Sequence, residues 1–144
     1  MNINTKFLGE VNIDEKEIIQ FSNGLPGFEN VKEFIVLSLE NESLFAILQS
    51  IKDPEIGFII AVPFIFKENY EFDLLDEDKE ELKVDSLENL IIYSIVTLKD
   101  PFNNSTINLQ APIIINHNTR LAKQLVLLNS DAYPLRFPIE RSKA

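Results

Sequence analysis

The chain of 144 residues contains no cysteine, only four glycines and a single histidine. The lack of cysteine excludes disulfides, thiolate nucleophiles and every cysteine-based zinc site. The glycines, at positions 9, 24, 27 and 57, are too dispersed to form a glycine-rich phosphate-binding loop. A chain of this length suits one domain and buries enough surface to fold without a disulfide or a structural metal ion. We therefore expect a single domain over residues 1–144 that needs no cofactor.

Long apolar runs are also missing. The longest, "FIIAVPFIF" at residues 58–66, contains Pro63 and falls far short of the roughly 18 residues that a membrane-spanning helix needs. The N-terminal stretch "MNINTKFLGE" has no basic region followed by an apolar one, so it does not predict a signal peptide. These features predict a cytoplasmic protein with no membrane partner.

Residues that could support catalysis are scarce. His117 is the only histidine, and it lies between two asparagines in a predicted turn. No "GxSxG" motif marks an activated serine. The carboxylates of residues 76–81 form a charged run, whereas a catalytic pair needs one carboxyl held in an apolar pocket. The sequence thus predicts a binding protein, not an enzyme, and no metal site.

The charge is strongly acidic, with 23 acidic and 13 basic residues and a net charge of −10. This balance opposes direct binding to nucleic acid, whose phosphates attract Lys and Arg. Residues 67–88 concentrate the charge, with ten acidic and three basic side chains. Either this segment is a solvated face, or it steers a basic partner towards the protein. The candidate steering residues are Glu71, Asp73, Asp76, Glu77 and Asp78.

Most of the chain shows the periodicity of β-strands. We predict strands in segments 33–40, 43–50, 55–62, 89–99 and 105–116. Pro112 lies within the last of these and removes a backbone donor, so this strand is predicted to bend there or to lie at an edge. The segment 118–129 fits either a helix or a strand. We interpret it as a strand, because the turn "NHNT" at 116–119 would pair it with the preceding segment.

A helix is predicted over residues 72–85, with Asp73 as its N-cap and with Leu75 and Leu82 in one apolar stripe. The segment 28–34 could form a second, short helical turn. About seven short strands with so little helix indicate a mainly β fold. We expect a small antiparallel β-barrel, or a strongly bent sheet, with one or two short helices.

The segment "FSNGLPGFENVKEF", residues 21–34, is unusually apolar for a loop. Pro26 and Gly27 fit the two central positions of a tight turn. Phe28 either closes one end of the barrel or faces a partner. We therefore select Leu25, Pro26, Phe28 and Glu29 as candidate contact residues that border a binding surface.

Polar residues near the ends of apolar strands are further candidates. Gln49 and Ser50 end one strand, and polar groups in such positions must find hydrogen-bond partners. Asn108, Gln110 and Asn116 lie along the segment that contains Pro112. Their alternative role, of equal weight, is to cap turns.

Several motifs together resemble the flagellar assembly factor FliW family. The motifs are "NGLPGFE" at 23–29, "LFAILQS" at 44–50, Pro63 after a strand, and "INLQAPIIIN" at 107–116. Their order and spacing match the family over nearly the whole chain, and "MNINTKFLGE" is similar to the family's first strand. "LPGFE" alone would be weak, but the combination is specific.

The resemblance implies a bacterial cytoplasmic regulator, and the lack of an obvious coiled coil or a broad apolar helix stripe in the sequence predicts a monomer. Proteins of this family bind CsrA, a small basic RNA-binding repressor of flagellin translation, and they also bind the C-terminal region of flagellin. Free flagellin would hold the factor, and flagellin export would release it to remove CsrA from the message. Whether such a factor fills the RNA site of CsrA or acts allosterically stays open, although the family favours a separate site. The alternative is a dedicated flagellin chaperone that does not contact the regulator.

Overall fold

A computed structural model describes residues 1–39, 44–127 and 133–139. Within these ranges the chain forms eleven strands and one α-helix, with single 3-10 turns at Glu15–Glu17, Pro63–Ile65, Leu87–Asn89 and Phe102–Asn104. The elements in chain order are β1 (Asn2–Asn4), β2 (Glu10–Asn12), β3 (Ile19–Phe21), β4 (Glu33–Ser38), β5 (Phe45–Ser50), β6 (Gly57–Ala61), α1 (Asp76–Glu81), β7 (Leu90–Thr97), β8 (Thr106–Ile107), β9 (Ile113–Asn116), β10 (Leu121–Gln124) and β11 (Phe137–Pro138).

Seven of the strands close into a barrel, in the order β3, β4, β5, β6, β7, β9 and β10. Neighbouring strands are antiparallel except where β10 returns to β3, with Leu121 opposite Gln20 in parallel register. Closure pairs both edges of each of these strands. The predicted small β-barrel is confirmed, and the parallel pair is the part of it that was not predicted.

The barrel core follows from the alternation of side chains along each strand. Ile113 and Ile115 of β9 point inward and pack with Phe21, Phe34 and the other inward-facing residues. Ile114, between them, points outward and packs with Leu82 and Leu125. The run of three isoleucines therefore serves two separate apolar layers, which explains why β9 is buried along its whole length.

Two smaller apolar clusters cover other parts of the barrel exterior. The β1–β2 hairpin brings Ile3 against Ile35 of β4, together with Ile13. Around Tyr70, residues from several connections pack against the far ends of β6 and β7. The Tyr70 hydroxyl donates to the carbonyl oxygen of Leu109 at 2.6 Å and so fixes this second cluster to the chain after β8.

The segment 105–116 forms two strands where one was predicted. β8 pairs with Thr97 and Val96 of β7, and β9 pairs with the first half of the same strand. The chain between them turns at 108–112. Pro112 is buried and β9 is paired on both sides, so the predicted edge position of this proline is wrong. The prediction of a bend is correct, since Pro112 directly precedes β9.

The helix prediction was right in place but too long. α1 has six residues, and its N-cap is Leu75, whereas Asp73 lies outside the helix and is not the cap. The backbone N–H of Leu75 donates to Asp78 Oδ2 at 3.4 Å. Leu82 is buried beneath the helix but Leu75 is exposed, so only one leucine of the predicted stripe faces the barrel. Three acidic residues occupy the first turn, where the helix dipole favours them.

Two ambiguous segments are resolved by the structure. Residues 121–124 form β10, which pairs with β9 as the predicted hairpin, while residues 128 and 129 lie outside the described part of the chain. The left-handed backbone in this hairpin falls on Arg120 (φ 60°) and not on an asparagine. Residues 28–31 form a single turn, with the Val31 N–H bonded to the Phe28 carbonyl, whereas Glu33 and Phe34 already belong to β4. In the described ranges no helix is long and apolar enough to cross a membrane.

Candidate partner-binding surfaces

The loop after β3 is held in shape by a tight turn at Leu25–Phe28. The Phe28 N–H donates to the Leu25 carbonyl at 2.7 Å, and Gly27 at the third position has φ 85°. The turn chemistry of Pro26 and Gly27 is therefore as predicted. Gly24 is constrained more tightly. It has φ 64°, and a Cβ there would lie 2.5 Å from the Phe28 carbonyl oxygen.

Leu25, and not Phe28, closes this end of the barrel. Leu25 is 2% exposed and packs within the barrel core, whereas Phe28 is 38% exposed. The Phe28 ring packs edge-to-face on Phe58, with centroids 5.5 Å apart. The expectation that Phe28 closes the barrel is thus wrong. The exposed flank of Phe28 leaves a partner contact there as a prediction.

Pro26 and Glu29 are both exposed beside this aromatic pair. Glu29 Oε2 accepts a hydrogen bond from the Gly27 N–H at 2.9 Å. This bond, followed by one from the Glu29 backbone itself, lowers the pKa of the Glu29 carboxyl below its ordinary value. The loop therefore presents an ionised carboxylate, a proline and a partly exposed phenylalanine ring to solvent.

Gln49 and Ser50 are fully buried, which differs from their predicted role as exposed contacts. Gln49 Nε2 donates to the carbonyl oxygens of Ser50 and Ile56, each at 3.1 Å, and Gln49 Oε1 accepts from the Lys6 N–H at 3.0 Å. Ser50 Oγ accepts from the Asp53 N–H. The hydrogen bonds that these residues require are therefore supplied inside the protein, where they hold the β5–β6 turn.

Asn116 is buried and ties α1 to the barrel. Its Nδ2 donates to the carbonyl oxygens of Leu82 at 2.9 Å and Lys83 at 3.2 Å, which lie just after the helix, where carbonyl groups have no intrahelical partner. The Asn108 Oδ1 accepts from the Gln110 and Ala111 N–H groups and caps the turn before β9. For Asn116 and Asn108 the structure shows the turn-capping alternative, and Gln110 lies half-buried in the same turn.

Asp78 does not face solvent with the other acidic residues of α1. It is 6% exposed, and Lys123 Nζ lies 2.6 Å from its Oδ1 and 2.6 Å from Glu81 Oε2. Burial lowers the pKa of Lys123, but the hydrogen bonds that Lys123 donates to Asp78 and Glu81 outweigh this effect and raise the pKa above its ordinary value. Asp78 therefore belongs to a structural ion cluster, and its burial removes it from the solvent-facing charges that the steering prediction required.

The other predicted steering residues are exposed. Glu71, Asp73, Asp76 and Glu77 all face solvent, and so do four acidic residues of the same segment that were not selected, namely Glu68, Glu80, Asp85 and Glu88. We call this set of eight carboxylates the acidic face. The segment that carries the acidic face is held in place by Asn116, Lys123 and buried Leu82.

An apolar groove lies beside the acidic face, and sequence reasoning missed it. The groove has a volume of about 460 Å³ and is bounded by Phe72, Leu74, Leu90, Ile92 and Ile114, with Phe64 and Leu87 at its mouth. Glu71, Asp73 and Lys79 also line it. We call it the Phe72 groove. A second, more open groove of about 650 Å³ lies on the other side of residues 71–73, against Leu125 and Val126. The alternation of side chains along a strand could not predict either groove, since each depends on how residues 70–74, which lead to α1, cross the outside of the barrel.

The structure gives His117 an exposed position in the turn after β9, with Nδ1 3.4 Å from the Arg120 guanidinium. Over residues 1–39, 44–127 and 133–139, no group of three or more histidine, aspartate or glutamate side chains is arranged to hold a metal ion. The geometry that distinguishes this protein is thus that of a surface: an acidic face, an apolar groove and an exposed aromatic turn.

Comparison with known proteins gives a consistent result. A family model described as "FliW protein" matches residues 2–139. A Bacillus velezensis protein named "Flagellar assembly factor FliW" is 48% identical over 127 residues, which cover 88% of this chain and 89% of that protein. A protein of the same name from Bacillus subtilis (strain 168) is 44% identical over 139 residues, covering 96% of each chain.

A solved structure agrees with these relatives. The chain superimposes on "Crystal structure of the flagellar assembly factor FliW" with a TM-score of 0.90 and 41% sequence identity, covering 96% of each chain. The similarity therefore includes the barrel, the outer hairpin and the acidic segment together.

Proposed function

Because the chain belongs to the FliW protein family, we propose that it is a flagellar assembly factor that binds the basic repressor CsrA and thereby relieves repression of flagellin synthesis. In this proposal cytoplasmic flagellin binds the same factor and withholds it from CsrA. Export of flagellin then frees the factor, so that flagellin synthesis follows export.

The acidic face is the observation that carries this proposal. Residues 67–88 hold ten acidic and three basic side chains in a protein of net charge −10. Eight of these ten acidic side chains are exposed on one connected segment. A basic RNA-binding partner would be attracted to this surface, and such complementarity acts mainly on the encounter rate and on the choice of partner. A nucleic acid would be repelled by it.

The rigidity of the acidic face favours binding to one defined partner. The carbonyl oxygens at the end of α1 bind Asn116, and the inner side of the helix is bound by Lys123. Since these contacts hold the segment before any partner arrives, little conformational entropy is lost in binding. A solvated acidic face that served solubility alone would not require such anchoring.

The flagellin part of the proposal requires an apolar surface, since the C-terminal segment of unassembled flagellin is amphipathic. The seven barrel strands are closed, so they offer no free edge on which a strand could be added. The two grooves beside residues 71–73 provide apolar surface without such an edge. Both partners can therefore be accommodated near the same segment, which would make their binding mutually exclusive.

Reconstitution with purified components tests the proposal. Labelled flagellin leader RNA is bound to CsrA, and the shifted band is followed in a native gel as this protein is added. We expect the protein to release the RNA, and preincubation with flagellin to prevent the release. If the protein binds flagellin but leaves the CsrA–RNA band intact at all concentrations, the proposal is wrong and the dedicated chaperone is favoured.

A further inference from the structure

The Phe72 groove combines an apolar floor with a negatively charged border. Ile92, Leu90 and Ile114 form the floor from the outer faces of β7 and β9. Leu87 stands at the mouth and is 63% exposed, and Phe64 is 38% exposed. Together with the apolar floor they form a contiguous apolar patch rimmed by polar residues, which is a typical feature of protein interaction sites and ligand-binding grooves.

The charge around the groove indicates the chemistry of what would cover it. Glu71 and Asp73 lie on one wall, and both belong to the acidic face. Lys79 also lines the groove, but the segment that builds this wall has a surplus of seven negative charges, from ten acidic and three basic residues. An occupant with apolar side chains on one side and Lys or Arg beside them would satisfy both features.

The groove is better suited to bind a helix than a strand, because it offers side chains and the strands of its floor have no free edge. A strand would need unpaired backbone groups at an edge, but β7 and β9 pair with each other and with β6 and β10. The groove offers side chains instead of backbone donors. Side-chain grooves bind the apolar stripe of an amphipathic helix through residues at positions i, i+3 or i+4, and i+7.

We propose that the Phe72 groove is the docking site for a basic amphipathic helix of the protein's regulatory partner. The apolar stripe of that helix would cover Leu87 and Phe64, and its basic residues would lie against Glu71 and Asp73. This inference rests on the proposed function for the identity of the partner. It assigns the contact to a defined surface of the chain and to a defined type of element in the partner.

The absence of cysteine from the chain allows a direct test. The variant Leu87→Cys receives a single maleimide-benzophenone at the mouth of the groove. Leu98→Cys is the matched control, because Leu98 is 47% exposed, follows the far end of β7 and does not line the Phe72 groove. Each labelled protein is irradiated with purified CsrA, and the cross-linked peptide is identified by mass spectrometry.

We expect the label at position 87 to cross-link to a CsrA helix that carries Lys or Arg, and the label at position 98 to give at least tenfold less product. Cross-links to a CsrA strand, or equal yields from both positions, would overturn the inference. The same would follow if Leu87→Ser bound CsrA as tightly as Leu98→Ser does.

A second probe separates failure of the groove from failure of the proposed function. An amphipathic helical peptide with leucines on one face and lysines at its flanks is labelled with fluorescein and titrated with the protein. Binding that weakens at least tenfold in Leu87→Ser, but not in Leu98→Ser, supports the groove even where unmodified protein fails to bind CsrA. Loss of CsrA binding alone would then count against the proposed partner. If unmodified protein binds CsrA but neither the cross-linking yield nor the peptide affinity differs between positions 87 and 98, the groove assignment is wrong while the proposed function stands.

Discussion

Lys123 Nζ lies 2.6 Å from Asp78 Oδ1, and this ion pair joins β10 to α1. The carboxylate is almost completely buried, and the lysine side chain is about one-fifth exposed, at 22%. The pair thus lies at the base of the acidic face and holds the helix whose exposed side carries much of the negative charge. Because Lys123 binds the buried side of α1 and not its exposed side, the stability of this segment can be tested separately from the charge that it presents to solvent.

Replacing the lysine should destabilise the fold. Lys123→Met removes the cation and leaves the Asp78 carboxylate buried with no charged partner on β10, which we expect to cost about 2 kcal/mol of unfolding free energy. Urea denaturation measures this as a lower midpoint with an unchanged slope. The control is Lys52→Met. Lys52 is 86% exposed, and its ion pair with Glu33 is longer, at 3.5 Å, so the urea midpoint of this variant should change little. Equal midpoints for both variants would contradict a structural role for Lys123.

The same lysine should make stability depend on alkaline pH. Its pKa in the folded protein is raised above the ordinary value, so its contribution is complete below the unfolded pKa of about 10.4 and is lost as pH rises through the folded pKa. Burial raises the pKa of Tyr70 as well, so ionisation of Tyr70 at high pH also lowers the stability of the folded state, in unmodified protein and in Lys123→Met alike. We therefore expect the stability gap between unmodified protein and Lys123→Met to narrow above about pH 10. A gap that stays constant from pH 8 to pH 11.5 would show that Lys123 does not titrate in this way.

The two glycines of the loop after β3 should differ in their tolerance of a side chain. Gly27→Ala adds a Cβ into open space, so only its left-handed backbone resists the change, at a cost of about 1 kcal/mol. Gly24→Ala has the same backbone strain and also brings the Cβ to 2.7 Å from the Glu29 carbonyl oxygen. We expect Gly24→Ala to lose at least about 3 kcal/mol in urea denaturation, as overpacking adds to the strain. If Gly27→Ala were the more harmful change, the described loop geometry would be wrong.

Leu25 and Phe28 should separate folding from recognition within one turn. Leu25→Ala removes a side chain from the barrel core and should cost about 2–5 kcal/mol. Phe28→Ala loses only a half-exposed ring and its edge-to-face contact with Phe58, a loss of about 1 kcal/mol. We then expect the folded Phe28→Ala variant to bind one of the two partners at least tenfold more weakly, as measured by calorimetry. Unchanged affinity for both partners would remove Phe28 from the binding surface.

The strands of the barrel could be predicted because each of the longer ones has a recognisable local sequence pattern. Alternation and β-branched residues located β4, β5, β6 and β7 to within a few residues, and Pro26–Gly27 predicted the turn between β3 and β4. The strand pair that closes the barrel could not be predicted. It depends on β3, which has three residues, pairing in parallel with a strand about a hundred positions away. So short a segment carries almost no periodic signal, and parallel pairing of distant residues leaves no local mark.

The polar candidates illustrate what residue type alone does not decide. Gln49, Asn116 and Asp78 were selected as partner contacts from their residue type and their place in the sequence, yet each is buried and bound to a neighbouring segment. For two of them these partners lie far away in sequence, because Asp78 pairs with Lys123 and Asn116 binds the end of α1. Buried polar groups are satisfied by tertiary contacts, so a single sequence cannot distinguish them from surface contacts. The grooves, which likewise arise from tertiary packing, could not be predicted for the same reason.

The rate of association with CsrA tests the central proposal most directly. Stopped-flow association is measured at 20 and 500 mM NaCl for unmodified protein and for two double charge reversals with the same net charge. One variant changes Glu71 and Asp73 to lysine on the acidic face, and the other changes Glu10 and Glu55, which are exposed elsewhere. We predict that association of unmodified protein slows at least about tenfold at high salt, and that only the first variant slows comparably at low salt. A rate that is independent of salt, or equal rates for the two variants, would contradict recognition through the acidic face.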